Sequence, residues 1–130
     1  CAASRLTRDA LRLAEKKKQA GDKLGETLHD AGTLIAAARA GDIECTEAWN
    51  RYLDDLSNAL VSLINILDPE IIAVGGGVSG AGDFLIVPLN ERVAKGSFFK
   101  KPTPVVKALL GNDAGIAGAA LFGAETAPHR

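Results

Sequence analysis

Three consecutive glycines, Gly75, Gly76 and Gly77, are the residues whose type and spacing most directly suggest chemistry in this chain. They follow Glu70-Ile71-Ile72-Ala73-Val74, a run suited to a buried β-strand, and they open toward another helical stretch. Glycines at the carboxyl end of a strand leave backbone amides bare of side chains. A flat ring or a phosphate can then approach closely while the next helix offers its positive end. The chemistry expected of such a loop is nucleotide binding. The spacing is neither the dinucleotide pattern GxGxxG nor the phosphate-loop pattern GxxxxGKS/T. A tight turn where helix and sheet pack closely is the other reading of the same residues.

Other reactive side chains form no recognisable constellation. Cys1, His29, Cys45 and His129 lack the spacing of a zinc site, and His29 reads as a helix-start or surface histidine. Glu44, Glu47, Asp54 and Asp55 fall mostly on the polar side of one long helix, whereas paired-acid glycosidase chemistry needs two carboxylates converging across a cleft. No Ser-His-Asp arrangement with a nucleophile elbow is present. The run Lys16-Lys17-Lys18 reads as a solvated face complementing a helix dipole. No catalytic and no metal-binding residue is therefore assigned.

The elements that must position the glycines are helical before them and mixed after. Leu6, Ala10 and Leu13 recur at helix spacing, with Gly21 as a stop. A second helix is expected over about Ala31 to Ala40, capped by Asp30 or Thr33, with Gly41 in the left-handed position after it. Trp49, Leu53, Leu56, Leu60, Leu63 and Leu67 then alternate four and three residues apart, which predicts one amphipathic helix from about Ile43 to Leu67 packed on a sheet. At 1.5 Å per residue it would run roughly 37 Å. Asp68-Pro69 closes it, because the residue before proline is disfavoured in helical geometry. After the glycines, Phe84 to Ala94 looks helical, with Pro88 requiring a kink or two short helices in tandem. Val105 to Leu109 supplies a second strand, and Gly111-Asn112-Asp113 leads into a small-residue helix. Strand, glycine turn and helix thus occur twice, the pattern of an α/β fold.

Composition bounds the function. The chain has 130 residues, 47% hydrophobic and only 5% aromatic, describing an aliphatic core rather than an aromatic binding platform. Fifteen basic against 16 acidic side chains give a net charge of −1, so no global field draws it to nucleic acid or to an anionic membrane. Two cysteines are too few for a disulfide framework, and a reducing cytoplasm is the expected location. No apolar stretch approaches the roughly 20 residues that a membrane span requires. The chain begins at cysteine and contains no methionine, and two strands make a poor sheet, so it is expected to be a piece of a longer protein.

Taken together, Ala40-Gly41-Asp42, the long helix, Asp68-Pro69-Glu70-Ile71-Ile72-Ala73-Val74-Gly75-Gly76-Gly77-Val78-Ser79, Pro88-Leu89, and Leu110-Gly111-Asn112-Asp113-Ala114-Gly115-Ile116-Ala117-Gly118-Ala119-Ala120 resemble the ROK family of bacterial sugar kinases and repressors. The match is dense from about Gly41 to Phe122. The resemblance implies an α/β fold of the actin-like ATPase, ribonuclease H-like type, incomplete here. It implies that residues 1–130 are the carboxyl-terminal part of the large domain of a glucokinase-like kinase, helical over 1–67 and α/β over 68–130. The implied reaction of the whole protein is transfer of a phosphoryl group from ATP, with magnesium, to a hexose hydroxyl. In such kinases the loop matching Gly75, Gly76 and Gly77 passes beside the adenine and ribose.

The family's amino-terminal phosphate loop and its Cys-x-Cys-Gly-x-x-Gly-Cys zinc segment have no counterpart here, so a structural zinc would have its ligands outside this chain. Asn112-Asp113 is not the family's catalytic Asn-Asp pair, which belongs to the small domain upstream, and Asp113 reads as a helix cap. The chain alone is accordingly expected to be inactive, and the protein a cytoplasmic homo-oligomer. Two other readings are the effector domain of a ROK transcriptional repressor and an assembly module without ligand chemistry.

Overall fold

The computed structural model describes residues 2–98 and 101–109, so Asn112, Asp113 and the small-residue helix expected after them lie outside the described residues. Four helices come first: α1 (Ala2–Gln19), α2 (Leu24–Thr27), α3 (Ala31–Arg39) and α4 (Ile43–Leu67). Strand β1 (Ile72–Val74), a 3-10 turn (Gly77–Ala81), α5 (Asp83–Gly96) and β2 (Val105–Lys107) follow. The strands pair in parallel, with Ile72 opposite Val105 and Val74 opposite Lys107, so the turn and α5 are the crossover of a βαβ unit.

Local signals fix most boundaries. Asp30 and Thr33, each a candidate cap, are the two halves of one capping box: Asp30 Oδ1 accepts from the Thr33 amide at 2.8 Å, and Thr33 Oγ1 from the Asp30 amide at 3.1 Å. Gly41 has φ +95°, and Asp42 then caps α4 by accepting from the Cys45 amide at 2.9 Å. At the far end Asp68 takes the left-handed conformation, φ 43°, which lets the chain leave the helix ahead of Pro69. The strands are shorter than predicted, because the ladder runs only from the Ile72 amide on the Pro104 carbonyl to the Ala108 amide on the Val74 carbonyl. Beyond Val74 the chain turns away at the glycines.

Three expectations are corrected. The α4 stripe does not run straight through Leu63 and Leu67, which are 48% and 67% exposed. A repeat averaging 3.5 residues drifts around a helix of 3.6 per turn, so the buried face passes from Trp49 and Leu53 through Ser57 to Leu60 and Ile64. It packs mainly against α1, α3 and α5 rather than on the sheet. Second, Pro88 lies inside a single helix, so of the two forms expected the tandem pair of short helices does not form. An interior proline costs about 3 kcal/mol, but Leu85, Leu89 and Val93 on the same face are wholly buried. Three such side chains contribute about 1.5–3 kcal/mol each, which outweighs that cost.

Third, the lysine run is not uniformly solvated, since Lys17 is only 7% exposed. Its Nζ donates to Asp42 Oδ2 at 2.9 Å and to Asp22 Oδ2 at 3.2 Å, with Glu44 Oε2 at 3.4 Å, while Lys16 pairs with Glu44 from outside. The hydrogen bond to Asp42 holds the Lys17 ammonium above its usual range although burial acts the other way. Burial pushes the Asp42 carboxyl up, but the bonds from Lys17 and the Cys45 amide prevail and hold it low. Lys17 thus ties the end of α1 to the turns that start α2 and α4, where surrounding carboxylates offset its desolvation.

Candidate functional site

The glycine loop begins where β1 ends. Gly76 has φ +81° and ψ −176°, a conformation almost confined to glycine, and its carbonyl accepts from both the amide and the hydroxyl of Ser79, at 3.1 and 2.6 Å. Ser79 is 2% exposed, so the pin lies inside the fold. The 3-10 turn then runs to Gly82, φ +58°, whose carbonyl accepts from the amides of Leu85 and Ile86 as α5 begins. Val78 and Ala81 are buried beneath the turn, while Gly75, Gly76, Gly77 and Gly80 face outward.

What a side chain would meet separates these glycines from Gly25 and Gly96, although Gly21, Gly41 and Gly82 are equally open. A Cβ built on Gly25 would lie 2.6 Å from the Lys18 nitrogen and 2.8 Å from the Ala14 carbonyl oxygen, a close approach of α2 to α1. On Gly76, Gly77 or Gly80 it would meet nothing within 4 Å. Backbone conformation explains glycine at 76. Neither conformation nor packing against the described residues explains it at 77 or 80. Among the described residues nothing covers the backbone at Gly77 and Gly80, which follow the carboxyl end of a parallel strand.

One flank of the turn is braced from α3 and α4. The Arg39 Nη2 donates to the Ala81 carbonyl at 2.9 Å, and its guanidinium carbon lies 5.2 Å from the centroid of the Phe84 ring. Phe84 stacks on Trp49 with centroids 5.5 Å apart and planes 2° from parallel, and Trp49 stacks on Tyr52 at 5.5 Å. An open groove of about 860 Å³ runs beside this stack, floored by Trp49, Leu53, Phe84 and Pro88 and edged by Arg39 and Asp83. Ser79, Arg39 and Phe84 have no such role legible in the sequence. Only a hydroxyl three residues after Gly76 could have signalled the pin. Nothing local ties Arg39 to a turn 42 positions away.

The remaining candidates stay apart. Asp54 pairs with Arg92 at 2.8 Å and Asp55 with Arg5, so these α4 carboxylates form no catalytic pair. Cys45 is fully buried, and burial foremost, then Asp42, pushes its thiol up to about 12. His29 is exposed, its Nδ1 2.7 Å from the Thr27 carbonyl, and its amide donates to the α3 capping box. Among the described residues no three His, Cys, Asp or Glu side chains are grouped to hold a metal, and no helix is long and apolar enough to cross a membrane.

The chain is 42% identical over 93 residues to a glucokinase of Thermotoga maritima, covering 70% of this chain and 29% of that protein. It is 38% identical over 96 residues to a glucokinase of Halalkalibacterium halodurans, covering 68% and 27%. It thus spans less than a third of the length of these relatives. Among solved structures, a ROK family glucokinase from Streptomyces griseus in complex with glucose and AMPPNP superimposes with a TM-score of 0.72 at 23% identity, over 92% of this chain and 42% of that one. That likeness shows the fold, which is the α/β architecture of the actin-like ATPases. The family model described as ROK matches residues 7–125, and the chain belongs to the ROK family.

Proposed function

We propose that this chain supplies the adenosine end of the ATP site of a glucokinase-like hexose kinase, with Gly75, Gly76 and Gly77 passing beside the nucleotide. One observation carries the reading: at Gly77 a Cβ would meet no described protein atom within 4 Å and the backbone φ is not positive, so the described residues give no reason for glycine there. A ligand lying on the bare backbone would explain it. The relatives named above are glucokinases, and the Streptomyces griseus structure holds glucose and AMPPNP.

In this role the loop binds and orients, and no proton moves through it. Phosphoryl transfer depends largely on positioning and charge stabilisation, so a correctly held adenosine contributes by fixing where the phosphates lie. Magnesium would act at the phosphates, and the base and phosphate loop would come from other parts of the protein. The reading carries with it a carboxyl-terminal large-domain position for residues 1–130, a cytoplasmic location and a homo-oligomeric parent.

Gly77→Val in the full-length protein tests it. The KM for ATP should rise about tenfold or more, with the hexose KM and the melting temperature little changed. An unchanged ATP KM refutes the reading, and a loss of stability with no selective effect on ATP returns the glycine to a purely structural role. Gly76 is a poorer position for this test, because φ +81° would strain any side chain whatever the ligand.

A further inference from the structure

The glycine loop has an interior fastening at one end, Ser79 on the Gly76 carbonyl, and an exterior one at the other, Arg39 on the Ala81 carbonyl. Ser79 acts within the turn. Arg39 comes from the last residue of α3 and joins the turn to a separate part of the core. It is exposed, yet the guanidinium is held twice, by the 2.9 Å hydrogen bond and by the face of Phe84. Phe84 is itself fixed by near-parallel stacking on the buried Trp49. A long surface side chain normally loses rotamer freedom only when something holds it in place. Here a planar cation is fixed by a ring and aimed at one backbone carbonyl, a geometry that lysine could only partly reproduce.

We propose that Arg39 is a positioning residue for the nucleotide: it holds the Ala81 end of the Gly77–Ala81 turn, so that the open backbone at Gly77 and Gly80 keeps the shape that adenosine requires. The proposal rests on the adenosine reading above. Arg39 acts on the turn through the Ala81 carbonyl and the Phe84 ring, and under the adenosine reading its effect belongs to that part of the ligand.

The test uses the full-length protein with Arg39→Met, which keeps an unbranched apolar side chain and removes the donor and the charge. The KM for ATP and the competitive inhibition constant of adenosine should rise together, by about tenfold. Turnover and the hexose KM should change little, and the melting temperature should fall by no more than the loss of one internal hydrogen bond brings. Arg39→Lys should recover part of the loss. If ATP weakens while adenosine does not, Arg39 acts on the phosphates and the proposal is overturned. Unchanged ATP binding, or a joint fall in turnover, hexose affinity and melting temperature, also overturns it.

Should the methionine variant fail to fold, the lysine variant decides. A smaller parallel rise in both constants supports the proposal, and wild-type constants overturn it. Gly77→Val, measured alongside, separates the two ideas. An ATP KM unmoved by Gly77→Val removes the adenosine reading and this proposal with it. A rise there without one in Arg39→Met removes only the brace.

Discussion

At Lys17 a charge that a sequence pattern would leave in water is buried among Asp22, Asp42 and Glu44. The three carboxyls titrate below their ordinary values of 3.8, 3.8 and 4.5, so their stabilisation is present above those values and is lost as the pH falls through the lower folded ones. Lys17 titrates above its ordinary 10.5, so its share is complete below that value and is lost as the pH rises through the higher folded one. The melting temperature should therefore be flat between about pH 5 and pH 8 and fall on either side, the alkaline fall beginning as the pH passes 9.0, the ordinary value of the Cys45 thiol, and deepening past that of Lys17. Lys17→Met should cost about 1–3 kcal/mol at neutral pH, less than a fully buried pair because the carboxylates keep some contact with water. It should also flatten the acid limb in a pH series of thermal melts, and an acid limb unchanged by the substitution would refute the linkage. Cys45 follows the same logic from the other side. With its thiol pushed up to about 12, it should resist alkylation at pH 8 until the protein is unfolded, which mass spectrometry after iodoacetamide treatment reads directly.

Between elements, two close approaches and one edge contact matter. Gly25 lets α2 lie on α1, and the atoms an added methyl would strike belong to the α1 backbone, which cannot move alone. Gly25→Ala should cost about 1–3 kcal/mol. At Gly96 the nearest atom is a methyl of the half-buried Val61 at 2.9 Å, a side chain that can give way where helix backbone cannot. Gly96→Ala should therefore stay within about 1 kcal/mol of wild type, helped by the loss of glycine's unfolded entropy. Equal losses at the two sites in urea melts would contradict this. Asn90 on α5 holds β2 at Val105, donating to its carbonyl at 2.7 Å and accepting from its amide at 2.9 Å. Because both backbone groups lose their partner at once, Asn90→Ala should destabilise by about 1–3 kcal/mol, mainly in the βαβ unit. Hydrogen exchange should show that unit opening before the α1–α4 helices.

Among the described residues of the whole molecule, burial is concentrated around α4, which packs on α1, α3 and α5, while the two-stranded sheet packs on α5. Ile66 and Leu67 at the end of α4 and Ile71 before β1 are 77%, 67% and 56% exposed. Apolar surface of this kind drives association, so the 130-residue chain should scatter light as a dimer or larger species at micromolar concentration. A well-folded monomer that binds no hydrophobic dye would contradict this. The same chain should release no ADP in a coupled assay with ATP and glucose, since adenosine contacts cannot replace a base and a phosphate loop. Turnover dependent on both substrates, in material free of host kinase, would refute the assignment.

The sequence by itself determined the features governed by near neighbours: the 25-residue α4, the Asp30–Thr33 cap, the turns at Gly41 and Asp68, and the order strand, glycines, helix. Those depend on backbone preferences and on hydrogen bonds within four residues, which local residue types specify. The family was legible for a related reason, since its signature is a string of such local motifs in fixed order. Tertiary structure alone decided which leucines of the stripe turn inward, why Pro88 does not break α5, where Lys17 finds its carboxylates and how Arg39 reaches Ala81. Each depends on groups brought together from distant parts of the chain, and spacing along one element carries no record of what packs against it. The glycines show the division most clearly. Their identity marks a loop, but only the packed fold shows that nothing in the described protein occupies the space before Gly77.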